Sequence, residues 1–156
     1  LLRVHTLMMD DRCICRARRQ VAAQSTAYYD AMIAPSGLSV TMFRLLRRIE
    51  VANSVTITEL AEIVGLDRST LGRNLRVLEK LSLIAIGTRD DGRARRVSLT
   101  QIGREKLQHA VPLWREAQRE YLQIVGADTL ALLNHVIEQT ASSKSPSETT
   151  HDYTAN

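Results

Sequence analysis

Apolar residues recur at helical spacing in several separate stretches of the chain. From about Asp10 to Ile33 there is no Gly or Pro, and Ala, Arg and Gln are frequent. This predicts a long helix that stops at the turn signal Pro35-Ser36-Gly37. Ser39 reads as an N-cap, and Phe43, Leu46 and Ile49 follow at helical intervals to about Val51. Thr58 is the next candidate cap, opening the short helix ELAEIV, which Gly65 ends. Asp67 caps a fourth helix, RSTLGRNLRVLEKLS. Its Leu71, Leu75 and Leu78 fall at i, i+4 and i+7 on one stripe, and Ser69, Arg73, Arg76 and Lys80 on the opposite face.

The pattern then changes. Leu83 to Ile86 is a short apolar run, Arg89-Asp90-Asp91-Gly92-Arg93 is a turn cluster, and Ala94 to Leu99 is a second short run. Two such runs around an Asp-Gly loop predict a β-hairpin. Thr100 caps a helix from about Gln101 to Val125, in which Pro112 predicts a kink or break near His109 to Val111. A last helix, about Asp128 to Thr140, carries Leu130, Leu133, Val136 and Ile137 as its apolar face. Residues 142–156 are polar and lack a core face, the composition of a disordered tail. The expected fold is mainly α with a small β-hairpin wing. A winged helix-turn-helix lobe occupies 37–100, between an N-terminal helix in 1–36 and C-terminal helices in 101–141.

Composition supports this. Apolar residues make up 44% of the chain and aromatics only 4%, so the core is aliphatic, which favours helix over sheet. Charge is unevenly spread. Between Asp67 and Lys106 there are ten Lys/Arg against five Asp/Glu, a local excess absent from the rest of the chain. Such a segment is an electrostatic footprint for a polyanion, and the preference for Arg over Lys suits phosphate and guanine. No stretch approaches the roughly 18 apolar residues of a membrane span. The start, LLRVHTLMMDD, is too soon interrupted by acids to serve as a secretory signal, so a cytoplasmic location is expected. Cys13 and Cys15 are too few for a disulfide framework, and at i, i+2 on a helix they face different directions. The four histidines show no metal-ligand spacing, and no cofactor is expected.

The segment Ile57 to Leu81 carries the candidate chemistry. Ala61 is small enough for two helices to cross closely, and Gly65 suits a tight turn at positive φ. Leu66 and Leu71 fill the angle between the helices. The second helix of such a unit enters the major groove with its N-terminal residues toward the bases. Here these are Arg68, Ser69, Thr70, Arg73, Asn74 and Arg76. Arg forks onto guanine, Asn onto adenine, and hydroxyls reach bases or phosphate. On the hairpin, Arg89 leads into the loop, Arg93 sits at its tip, and Arg95 and Arg96 follow; an arginine at such a tip suits a narrow, electronegative minor groove, with Asp91 holding Arg93 in position.

These motifs resemble the MarR family. The resemblance runs from about residue 13 to 140 and rests on LAEIVGLDRSTLGRNLRVLEKLSLI, the wing DDGRARRVSLT with its Asp-x-Arg at Asp91-Gly92-Arg93, and LTQIGREKL. CICRARRQVAAQSTAYYD and GLSVTMFRLL are also similar to the family. The resemblance implies a homodimer built on the first and last two helices, with two recognition helices in successive major grooves about 34–36 Å apart on a pseudo-palindromic operator. It also implies a repressor released by a small aromatic or lipophilic inducer bound between dimer layer and lobe. Some relatives instead sense organic peroxides through a cysteine. Cys15 falls at that position and Tyr29 matches a tyrosine that partners it, whereas Val40 stands where a second tyrosine is found. Two readings from other classes stand beside these. An enzyme would need a nucleophile elbow, a phosphate-binding glycine loop or a metal cluster, none of which the sequence carries. A helical protein-interaction module without DNA binding would not need arginine concentrated on one helix and its hairpin.

Overall fold

The computed structural model describes residues 13–88 and 95–142. Residues 143–156 of the expected tail and the start of the first helix before Cys13 lie outside them; Ser142, the first residue of that tail, instead closes the last helix. The chain divides into two compact units, one through Gln118 and one from Arg119 onward.

In the first unit, α1 spans Ile14–Ile33 and ends in a 3-10 turn, Ala34–Ser36. Gly37 follows at φ 74°, in the left-handed region that lets the chain reverse. Helix α2, Val40–Ala52, is capped by Ser39, whose hydroxyl accepts from the Met42 N–H at 3.2 Å. The Asp30 carboxylate on α1 accepts a second orphan donor, the Val40 N–H, at 2.6 Å. The two helices are thus tied end to end.

Strand β1, Val55–Thr56, leads into α3, Ile57–Val64. The cap of α3 is Thr56 rather than the expected Thr58. Thr56 is extended and accepts from the Glu59 N–H, while the Glu59 carboxylate accepts from the Thr56 N–H at 2.9 Å. This reciprocal capping box satisfies two orphan donors, which Thr58, already inside the helix, could not do. The box also holds the Glu59 carboxyl below its ordinary pKa, chiefly through the Thr56 backbone bond.

Helix α4, Arg68–Lys80, follows the Gly65 turn, and β2, Ile84–Thr88, pairs antiparallel with β3, Arg95–Leu99. β1 adds to the other edge of β3, giving a three-stranded sheet in the order β1-β3-β2. A two-residue strand leaves no periodic trace, so the sequence pattern predicts the hairpin alone. Ile33, Leu46, Ile49, Leu60, Leu71, Leu78, Val97 and Leu107 are fully buried and form one aliphatic core. Phe43 and Trp114 stack beside it with ring centroids 5.6 Å apart.

Helix α5, Gln101–Val125, is capped by the Thr100 hydroxyl, which accepts from the Gly103 N–H at 2.9 Å. The break expected at Pro112 does not occur, and the helix runs 25 residues without interruption. Pro112 and Gln108 are both exposed, so the carbonyl freed of its partner lies on the wet side of the helix. Leu107, Ala110 and Ala117 hold the opposite side in the core. In the second unit, α6, Asp128–Ser142, leaves Leu130, Leu132, Leu133, Val136 and Ile137 exposed in the single chain. Among the described residues no helix is long and apolar enough to cross a membrane.

Candidate nucleic-acid interface

Helix α4 is fixed at its start by local bonds. Before it, Gly65 sits at φ 66° and ψ 34°, and the Leu66 N–H closes back onto the Ala61 carbonyl at 3.2 Å. A Cβ at Gly65 would meet nothing within 4 Å, so this glycine answers to backbone conformation and not to space. At the helix start, one Asp67 oxygen accepts from the Ser69 N–H at 3.0 Å, the Thr70 N–H at 2.9 Å and the Ser69 hydroxyl at 2.6 Å. The bonds from Ser69 and Thr70 hold the Asp67 carboxyl far below the usual carboxylate range. The Ser69 and Thr70 N–H groups of the first turn are therefore engaged by a carboxylate. The positive charge this helix offers comes from Arg68, Arg73, Arg76 and Lys80.

Leu71, Leu75 and Leu78 are buried to within 1% of full cover and anchor one side of α4. On the far side Ser69, Arg73, Arg76 and Lys80 form an exposed ridge, as the spacing predicts, and Arg68 is exposed at the first position. Arg73 lies back along the helix, with Nε 3.4 Å from the Ser69 carbonyl and a guanidinium nitrogen 3.5 Å from its hydroxyl. Both contacts are long and leave the guanidinium free to turn outward. Thr70 and Asn74 are only half exposed. They turn toward α2 and line a cleft of about 240 Å³ with Thr41, Arg44, Leu45, Arg48, Val64 and Leu66. The α2 residues of this cleft were not among the sequence candidates, although Arg44 and Arg48 fall at i, i+4 on the polar side of that helix.

On the hairpin, Arg95 is exposed and pairs in register with Thr88. Arg96 is committed elsewhere: its Nε donates to the Ser54 hydroxyl at 2.8 Å and its other nitrogen to the Ser54 carbonyl at 2.6 Å. It pins the loop-side end of β3 to the short connection between α2 and β1. Arg89, Asp91 and Arg93 lie outside the described residues.

Cys13 and Cys15 are exposed at the start of α1. Tyr29 sits on the same unbroken helix, 14 residues or about 21 Å farther on. Cys15 and Tyr29 therefore do not meet within one chain. The Tyr29 hydroxyl donates to Gln118 Oε1 at 2.7 Å, and its ring packs edge-on against Tyr28. Among the described residues no group of His, Cys, Asp or Glu is placed to hold a metal.

Two helices joined by a left-handed glycine turn, a third helix beside them, and an antiparallel hairpin after them define a winged helix-turn-helix protein. Residues 36–94 match the family model described as MarR family. The crystal structure of the transcriptional regulator MosR from M. tuberculosis in complex with DNA is 37% identical, covering 83% of this chain and 98% of that one, with a TM-score of 0.71. A second MosR crystal structure gives 36% identity, the same coverage and a TM-score of 0.67. A mutant MarR from E. coli complexed with operator DNA is 20% identical over 81% of this chain and 92% of that one, with a TM-score of 0.72, a likeness of fold. No match is found among curated proteins. The chain belongs to the MarR family.

Proposed function

We propose that the chain is a sequence-specific, double-stranded DNA-binding transcriptional regulator that acts in the cytoplasm as a homodimer and has no catalytic role. The observation that carries this is the ridge of Ser69, Arg73, Arg76 and Lys80, exposed along a helix whose other side is fixed in the core. A helix with side chains is about 10–12 Å across and fits the major groove, about 12 Å wide. Arg68, Ser69, Arg73 and Arg76 then face bases and phosphate, with Thr70 and Asn74 at the groove's edge. Arg89, Arg93 and Arg95 of the wing, with Asp91 positioning Arg93, reach the adjoining minor groove. The similarity to a MosR that was crystallised with DNA supports the same reading.

Dimerisation follows from residues 1–36 and 101–141. The apolar row Leu130, Leu133, Val136 and Ile137, exposed in one chain, is the kind of surface a second copy covers. The two recognition helices then read half-sites about one helical turn apart on a pseudo-palindromic operator. The protein acts as a repressor, and a small aromatic or lipophilic ligand that alters lobe spacing misfits both half-sites together and releases the DNA.

The test is selection of bound fragments from genomic DNA by the purified dimer. A shared, roughly two-fold symmetric sequence and affinity falling steeply with salt are expected. Replacing Arg73 by Ala should cost about 1–3 kcal/mol of binding and relax base preference at one position in each half-site. A folded dimer that enriches no duplex at low salt refutes the assignment and favours a protein-interaction module.

A further inference from the structure

The recognition helix and wing do not account for the cleft between α2 and α4. Its α2 wall presents Thr41, Arg44 and Arg48, one above the other on successive turns of the helix. Its α4 wall presents Thr70 and Asn74. The arginines of α2 differ in their surroundings. Arg47 donates to the Glu50 carboxylate at 3.0 Å and is neutralised there. Arg44 and Arg48 are exposed and make no ion pair among the described residues. Two like charges at i, i+4 disfavour a helix by a few tenths of a kcal/mol. Among the described residues no carboxylate pairs with either to offset that repulsion, whereas an anion seated between them does.

The location identifies the anion. Thr70 and Asn74 lie on the flank of α4, next to the ridge that faces the groove. A helix that fills a major groove leaves its flanking elements against the sugar-phosphate strands on either side. On the α2 side those elements are Arg44 and Arg48. We infer that Arg44 and Arg48, with the Thr41 hydroxyl, form a phosphate clamp that grips the DNA strand bordering the groove read by α4. This rests on the DNA-binding reading and adds a second anchor to it. Guanidinium forks match phosphate oxygens bidentately, so the clamp fixes how far the helix advances along the groove without reading sequence. Its position, wedged between α2 and the first turns of α4, couples that grip to Thr70 and Asn74.

The experiment measures binding against salt for an operator fragment selected by the wild-type protein and for a scrambled duplex of equal length. Four proteins are compared with wild type: Arg44→Gln, Arg44→Gln/Arg48→Gln, Arg44→Lys/Arg48→Lys and Arg47→Gln. Each phosphate contact contributes about 0.9 to the slope of log affinity on log salt, and a dimer carries the pair twice. The double Gln variant should therefore flatten the slope by about 3 to 4, and Arg44→Gln by about 2. Affinity for the selected and scrambled duplexes should fall by the same factor. The Lys variant should keep the slope, because it keeps the charge. Arg47→Gln should match wild type. A double Gln variant with the wild-type slope overturns the clamp, as does an equal loss in Arg47→Gln. Loss of preference between the two duplexes would make the pair base readers and also overturn it. Wild-type protein that binds neither duplex would instead sink the DNA-binding reading itself.

Discussion

Gly103 offers a test in which helix propensity and packing oppose each other. It lies in the first turn of α5, facing the chain where α4 hands over to β2. A Cβ built there would sit 1.9 Å from the Leu83 carbonyl oxygen and 2.9 Å from its carbon. The obstacle is backbone, and it is already fixed: the Leu83 carbonyl accepts from the Thr100 N–H at 3.1 Å, and the Thr100 hydroxyl donates to the Ser82 carbonyl at 2.6 Å. Replacing Gly by Ala in a helix is ordinarily worth about 0.8–1 kcal/mol of added stability. Here α5 or the Leu83 peptide must retreat by more than 1 Å to reach even the closest real Cβ contacts. Overpacking of that kind typically costs about 1–3 kcal/mol, and the strained Thr100–Leu83 bond adds about 1 kcal/mol. Gly103→Ala should therefore lose about 1–3 kcal/mol net. Gly72, in the interior of α4, is the matched control, because a Cβ there meets nothing within 4 Å. Gly72→Ala should gain about 0.5–1 kcal/mol. Urea and thermal unfolding at equal protomer concentration separate the two, since each kcal/mol moves the midpoint by about 2–4 °C at this chain length. A Gly103→Ala protein as stable as wild type, or a Gly72→Ala protein that loses stability, would refute the packing argument.

Two further outcomes follow from the same structure. Leu75 is 1% exposed beneath the ridge of α4, so Leu75→Ala should lower the denaturant midpoint by the equivalent of about 2–5 kcal/mol and weaken DNA binding with it. The bonds from Ser69 and Thr70 hold Asp67 below its ordinary pKa. Its contribution is therefore complete above the unfolded-state value of about 4 and is lost as pH falls from there toward the lower folded value. Asp67→Asn keeps a capping oxygen that does not titrate, so stability measured from neutral pH downward should fall less steeply below about pH 4 than in wild type.

Most of the helices and the hairpin were legible in the sequence because their signals are local. The spacing of Leu71, Leu75 and Leu78 and the exposed ridge opposite belong to one helix. The caps at Ser39 and Asp67 and the turn at Gly65 involve residues within a few positions of each other. The cap of α3 is local too: Thr56 and Glu59 have capping-box spacing, although Thr58 lies nearer the apolar run.

Tertiary structure decided what lies across from each face. Periodicity says which side of α4 is polar, but not that Thr70 and Asn74 turn toward the arginines of α2 while Arg73 and Arg76 face outward. Nor does it say that Arg96 reaches Ser54, 42 residues away, instead of joining Arg95 on the surface. Neither the two-residue strand β1 nor the backbone pressed against Gly103 has a period to detect. The physical reason is common to all four. Side-chain spacing reports an element's own geometry, whereas a partner far along the chain is chosen by close packing and by the need to satisfy buried polar groups.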